Sequence, residues 1–201
     1  MRIVLATGNT GKLRELQALL APLDIEVLAQ SQFTRVAAAE TGLSFVENAI
    51  LKARHAAQVS GLPALADDSG IEVDALRGAP GIYSARYAGA DASDQANLEK
   101  LLHELRDVPA AQRTARYQCA LAYLRRDTDA SPIVCQASWE GRIIEVPRGS
   151  GGFGYDPIFE VEPGVTAAEL EAQDKNRRSH RGKALRLLLE QLQSGISWAP
   201  R

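Results

Sequence analysis

Cysteine, histidine and long apolar runs are all scarce in this sequence. Its two cysteines, Cys119 and Cys135, sit in apolar surroundings without CxxC spacing. They read as reduced core residues rather than a disulfide frame. The three histidines, His55, His103 and His180, contain no pair at zinc-ligand spacing. The apolar opening, residues 3–6, is too short for a signal peptide, and no stretch approaches the length of a membrane span. Long basic runs are missing too, and the net charge is −2. Duplex nucleic acid is therefore not the expected ligand, whereas a small anion held by a few local cations is compatible. The expectation is a soluble, cytoplasmic protein with no membrane and no nucleic-acid partner.

What is present is ordinary globular composition, 45% hydrophobic and 24% charged over 201 residues. That length suits one large domain or two small ones, and no linker divides it. Residues 2–6 predict a strand, and Thr7-Gly8-Asn9-Thr10-Gly11-Lys12 a loop. Leu13, Leu16, Leu19 and Leu20 mark a helix that Pro22 closes, and residues 25–28 a second strand. Strand, glycine loop, helix, strand is the usual opening of an α/β sheet. Ser44 and Glu47 form a capping box ahead of an apolar helical stripe ending near Val59. Residues 62–66 and 71–76 predict two strands separated by a Ser69-Gly70 turn, and residues 97–106 a helix. Alternation at Tyr117, Cys119, Leu121 and Tyr123, continued at Ile133, Cys135 and Ala137, predicts antiparallel hairpins. Glu140-Gly141 is read as a further turn before a strand at Ile143-Ile144. Thr166 with Glu169 is another capping box, and Ser179 is placed as cap of the last helix, with Ala184, Leu185, Leu188 and Leu192 inward.

Ala66-Asp67-Asp68-Ser69-Gly70 carries the most chemical information. Two adjacent carboxylates repel, so a fold directs them onto a cation or a proton. Oxygen ligands alone suit Mg²⁺, which takes one or two carboxylates and leaves room for water and phosphates. The bland alternative is a solvated Asp-Asp turn. The loop Thr7 to Lys12 is not a Walker A motif, because only Asn9 and Thr10 separate Gly8 from Gly11 and Leu13 follows Lys12. Its glycines still admit an anion to backbone N–H groups at a helix start, with Lys12 adding charge. Glu40 lies free of the capping box and can reach a metal. Residues 149–157 are the densest glycine cluster and bring Phe153 and Asp156 together. An aromatic face beside a carboxylate suits a nucleobase, and a barrel corner is the alternative. Lys175, Ser179, His180, Arg181 and Lys183 bunch at the start of the last helix. The helix dipole disfavours cations there unless an anion or polar ligand lies close.

Six stretches together resemble the inosine triphosphate pyrophosphatase family, the non-standard purine nucleoside triphosphate pyrophosphatases, in its bacterial form. They are ATGNTGK at 6–12, ETGLSFVENAILKA at 40–53, ADDSGIEVDAL at 66–76, GAPGIYSARYAG at 78–89, GGFGYDPIF at 151–159 and SHRGKAL at 179–185. The resemblance implies an α/β fold, a long mixed central β-sheet flanked by helices, with two lobes of a single domain (1–201) around a cleft. It implies a Mg²⁺-dependent homodimer that cuts ITP, dITP and XTP to the monophosphate and pyrophosphate. By motif, Asp68 would be general base, with Glu40, Asp67 and Asp68 around the metal and Lys12 in catalysis. Thr7, Gly8, Asn9, Thr10, Gly11 and Lys12 would hold phosphates, and Ser69 and Lys175 would assist. Phe153, Gly154, Tyr155, Asp156, His180 and Arg181 would hold the base. The competing readings are a Maf-like pyrophosphatase acting on pyrimidine or modified nucleotides, and a nucleotide sensor without catalysis.

Overall fold

A computed structural model of the chain describes residues 2–23 and 25–193. Seven strands form one sheet in the order β2-β1-β3-β4-β5-β6-β7. They are β1 (Arg2–Ala6), β2 (Glu26–Ala29), β3 (Ala64–Val73), β4 (Thr114–Leu124), β5 (Ile133–Ile143), β6 (Phe159–Glu162) and β7 (Val165–Thr166). The helices are α1 (Thr10–Leu20), α2 (Phe45–Ser60), α3 (Asp94–Leu105), α4 (Ala172–Arg178) and α5 (His180–Gln193). β1 pairs in parallel with β2 and β3, whereas β5, β6 and β7 pair antiparallel, so the sheet is mixed. None of the described helices is long and apolar enough to cross a membrane.

The chain divides into two compact units. The first comprises residues 1–68, 119–137 and 181–201, and the second residues 69–118 and 138–180. The core of the first gathers Ile3 and Leu5 of β1, Leu16 and Leu20 of α1, Leu65, Leu121, and Leu185, Leu188 and Leu192 of α5. The leucine spacing that predicted α1 and α5 thus faces inward as expected. Asn9 caps α1 by accepting the Lys12 N–H at 2.9 Å. Ser44 caps α2 as predicted, and Gly61 ends it in the left-handed conformation that glycine tolerates best. In the second unit Leu98, Leu101 and Leu105 of α3 pack with Ile71, Val73, Tyr117, Trp139 and Phe159.

Two expected turns do not exist. Ser69-Gly70 lies with Asp67 and Asp68 inside β3, which runs unbroken from Ala64 to Val73. Turn chemistry loses here because cations neutralise the aspartates, which removes the need to expose them. Glu140-Gly141 likewise lies inside β5. A Cβ on Gly141 would stand 2.5 Å from the Glu160 carbonyl oxygen and 2.6 Å from Phe159 Cζ. The glycine therefore serves close approach rather than a turn. Ser179 closes the short helix α4 by returning its N–H to Lys175 O at 2.8 Å, and with extended backbone it directly precedes α5, the position expected of that helix's cap.

Gly141→Ala should accordingly overpack the β5–β6 junction and destabilise the protein by about 1–3 kcal/mol. Urea unfolding should show a lower midpoint with an unchanged slope, and a midpoint equal to the parent's would contradict the packing role.

Candidate active site

The first unit assembles one charged cluster from four elements. β3 carries Asp67 and Asp68, α1 carries Lys12 in its first turn, α2 contributes Lys52, and α5 contributes Arg181. Successive strand residues point to opposite faces, so adjacent aspartates on β3 meet different neighbours. Asp67 is 1% exposed, with Lys12 Nζ 2.9 Å from Oδ1 and Arg181 Nε 2.8 Å from Oδ2. The Cys119 thiol also donates to Oδ2 at 3.2 Å. Arg181 is 2% exposed and reaches Glu15 of α1 with its other arm. Burial pushes the Asp67 carboxyl up, but Arg181 and Lys12 outweigh it and hold it well below the usual carboxylate range. Burial and the neighbouring Asp67 raise the Cys119 thiol well above its ordinary value, so the thiol stays protonated.

Asp68 has the opposite character. Its Oδ1 accepts from Lys52 Nζ at 2.5 Å, and the same ammonium lies 3.1 Å from Glu40. Its Oδ2 is buried and has no hydrogen-bond partner among the described residues. Burial raises the Asp68 carboxyl above its ordinary value despite Lys52 and Lys12 nearby. Burial also lowers the Lys52 ammonium, but Asp68 and Glu40 outweigh this and raise it. Glu40 is held through its own segment. The Gly42 N–H donates to Asn48 Oδ1 at 2.9 Å and the Leu43 N–H to Glu47 Oε2 at 2.8 Å. A Cβ on Gly42 would come within 2.6 Å of Glu47 Cβ and 2.8 Å of Asn48 Oδ1, so this turn admits only glycine without rearrangement.

The expected Thr7–Lys12 loop is shorter than read, Thr7 to Asn9, because Asn9 caps α1 and the helix already begins at Thr10. Thr7 Oγ1 accepts the Asn9 N–H at 3.1 Å. Gly8 faces open space, where a Cβ would meet nothing within 4 Å. Nothing in the protein's own packing therefore requires glycine at position 8.

The second unit builds a separate constellation on the glycine cluster and α4. Asp156 is 3% exposed, and its Oδ2 accepts from Lys175 Nζ at 2.6 Å and from the Phe153 N–H at 2.8 Å. Its Oδ1 accepts from the Tyr117 hydroxyl at 3.2 Å. A Cβ on Gly152 would lie 2.0 Å from Asp156 Oδ2, and Gly152 also has φ +73°. The Lys175 ammonium lies 5.0 Å from the Phe153 ring centroid, within cation–π range. The Gly154 N–H donates to Asp94 at 2.9 Å, and the Tyr155 hydroxyl donates to Ser84 O at 2.8 Å, which makes Tyr155 a core residue. The His180 imidazole stacks on Tyr117, with centroids 4.7 Å apart and planes 9° apart. Ser69 follows Asp68 on β3 and is half-buried.

Of the expected site residues, Lys12, Glu40, Asp67, Asp68 and Arg181 thus fall in the first unit with the Thr7–Lys12 segment. Ser69, Phe153, Gly154, Tyr155, Asp156, Lys175 and His180 fall in the second. Sequence reasoning did not single out Lys52, Glu15 or Tyr117. Lys52 follows the Glu47 cap on a helix whose stripe was read as core, and no local pattern marks its two carboxylate partners.

The sequence model of the Ham1 family matches residues 3–191. This chain belongs to the Ham1 family. It is 62% identical over 194 residues to a Pectobacterium atrosepticum protein named dITP/XTP pyrophosphatase, covering 96% of this chain and 98% of that one. Two solved Ham1 structures share the fold. That of the Coxiella burnetii HAM1 protein has a TM-score of 0.87 at 48% identity, covering 97% of this chain and 100% of its own. That of the Staphylococcus aureus Ham1 protein has a TM-score of 0.83 at 40% identity, covering 96% and 99%.

The Asp67 network makes a stability prediction for this Ham1 chain. Asp67→Ala removes the buried carboxylate that Arg181 and Lys12 pair with, and losing one partner of a buried pair costs about 3–5 kcal/mol. Equilibrium unfolding at neutral pH should show that loss. Because its folded pKa is depressed, Asp67 stabilises the fold above the unfolded carboxylate value of about 3.9, and that stability is lost as pH falls through the lower folded value. The gap between parent and variant should therefore close only in strong acid. A gap that disappears at mildly acidic pH would contradict the assignment.

Proposed function

We propose that this chain hydrolyses non-standard purine nucleoside triphosphates, ITP, dITP and XTP, to the monophosphate and pyrophosphate. The observation that carries this reading is the unequal aspartate pair. Asp67 is locked between two cations, while Asp68 keeps one buried oxygen open beside two lysines and Glu40. The dITP/XTP pyrophosphatase relative at 62% identity supports the substrate class.

Each group has a part in the chemistry. Water attacks the α-phosphorus, its proton passes to the open oxygen of Asp68, and the bond to the bridging oxygen breaks as pyrophosphate leaves. A raised carboxyl pKa makes Asp68 the better base of the two. Lys12 and the N–H groups at the start of α1 offset charge on the departing pyrophosphate. Gly8 leaves room for phosphate against the backbone. Lys52 holds Asp68 and Glu40 in register. Phe153 and Lys175 offer a stacking face and a donor to the base, and His180 offers an imidazole edge. Asp156, which accepts from Lys175, the Phe153 N–H and the Tyr117 hydroxyl, fixes these groups rather than contacting the base. Arg181, committed to Asp67 and Glu15, holds Asp67 and through it Lys12.

The donor set fits Mg²⁺. Among the described residues, no three of His, Cys, Asp and Glu form a ready cage, but Mg²⁺ asks for only one or two carboxylates. Glu40 and Asp68 would hold it, and it would supply positive charge against the phosphate oxygens, with the open oxygen of Asp68 left for the water's proton. Asp67, expected from sequence as a third metal residue, has both oxygens committed to other donors and stands behind the site as a counter-ion. The family resemblance adds a homodimer working in the cytoplasm, and light scattering on the purified protein reads the dimer directly.

A phosphate-release assay with and without added inorganic pyrophosphatase tests the reaction. Signal from dITP only when the second enzyme is present identifies pyrophosphate as product. Direct phosphate release, or tight dITP binding without turnover, would overturn the proposal. Asp68→Asn should lose about 10²–10⁴-fold in kcat, the scale of a general base, while still binding nucleotide. Activity within about tenfold of the parent would remove Asp68 from that role.

Lys52→Met makes a pH prediction. Removing a cation beside a carboxyl favours the neutral acid, so the Asp68 pKa rises further. The base then ionises only at higher pH, and the acidic limb of the kcat/KM profile should move to higher pH. A limb that stays in place or moves down would separate Lys52 from Asp68.

A further inference from the structure

Tyr117 touches both chemically active groups of the second constellation. It lies near the start of β4, 8% exposed, in the core that includes Phe159 and Trp139. Its ring face lies on the His180 imidazole at 4.7 Å and 9°, and it meets Phe159 edge-on at 4.7 Å and 68°. Trp139 lies near-parallel to the same imidazole, 6.5 Å away at 24°. At its other end the Tyr117 hydroxyl donates to Asp156 Oδ1 at 3.2 Å. The opposite oxygen of that carboxylate holds the Phe153 N–H and the Lys175 ammonium. One side chain therefore fixes the plane of an imidazole and, through a single carboxylate, the placement of an aromatic ring and an ammonium.

That arrangement has a consequence for selectivity. The N–H bonds of an imidazole lie in its ring plane, and hydrogen bonds weaken steeply as the donor angle departs from linear. A stacked ring cannot tilt without leaving its partner, so Tyr117 limits the directions in which His180 donates. A carboxylate that accepts from three donors at once is fixed in the same way. Discrimination between a 6-oxo purine and a 6-amino purine depends on such directional donors, because the wrong group leaves them unpaired.

We propose that Tyr117 is a specificity-determining positioning residue, which orients His180 by stacking and the Phe153–Lys175 pair through Asp156, so that the site accepts 6-oxo purines. This inference rests on the reading of His180, Phe153 and Lys175 as base-binding groups. It goes beyond that reading in giving selectivity to a residue that does not touch the base.

Two substitutions separate the contacts. Tyr117→Phe keeps the stacked ring and loses the hydroxyl donor, and Tyr117→Leu loses both. The measurements are kcat/KM for dITP and dATP, with calorimetric titration of dIMP and dAMP as a readout independent of turnover. The ratio of dITP to dATP should fall about tenfold in Tyr117→Phe, the scale of one well-aligned hydrogen bond, and about 10²-fold in Tyr117→Leu. The dIMP to dAMP affinity ratio should fall in the same order. Equal losses for both bases would show a structural role only and overturn the proposal. Tyr117→Phe preserves volume, so it remains testable if Tyr117→Leu does not fold. His180→Ala in the same series distinguishes the two levels of failure. If it leaves the ratio unchanged, the base-binding reading falls and this proposal with it. If it collapses the ratio while both Tyr117 variants keep it, His180 reads the base without Tyr117 and the positioning role is wrong.

Discussion

A buried carboxylate between two cations is the interaction on which the charged site depends. Asp67 sits in the middle of β3 with Lys12 on one oxygen and Arg181 on the other. Each of the three is costly to bury alone, and together they satisfy one another. The arrangement ties α1, β3 and α5 at one point, and Glu15 closes it by taking the other arm of Arg181. Lys12 is thereby fixed at the mouth of the glycine loop instead of ranging through solvent.

Fixing Asp67 gives Asp68 its separate character. The next residue on a strand faces the other way, so Asp68 meets Lys52 and Glu40 and keeps one oxygen open. Two chemically identical neighbours thus acquire opposite pKa shifts from their surroundings, one depressed by direct ion pairs and one raised by burial. Pairs of titratable groups pushed apart in this way are the usual mark of divided acid–base roles. The second constellation follows the same logic on a smaller scale, with Asp156 as its central acceptor and glycine at 152 because no other residue fits against that carboxylate.

Much of this was legible in the sequence, and the failures share a cause. Leucine spacing placed α1, α3 and α5, and the Ser44–Glu47 and Thr166–Glu169 boxes are present as read. These are local signals, set within one or two turns of chain. Ser69-Gly70 and Glu140-Gly141 were misread as turns because local propensity favours turns there, whereas distant residues decide. Arg181 lies 114 positions from Asp67, and Phe159 closes on Gly141 from the next strand. Lys52, Glu15 and Tyr117 escaped notice for the same reason, since their roles exist only once separate elements meet. Arg181 was singled out correctly as an unusual cation at a helix start, but its anion is Asp67, part of the protein itself.

The central claim is that Asp67 and Asp68 divide the work, one as counter-ion and one as open base. Carbon-13 titration of the side-chain carboxyl resonances by NMR, with and without Mg²⁺, tests it most directly. The account predicts that Asp67 titrates well below the ordinary carboxylate range and Asp68 above it. Added Mg²⁺ should shift the resonances of Asp68 and Glu40 strongly and that of Asp67 weakly. Two aspartates titrating together, or a metal response centred on Asp67, would contradict it.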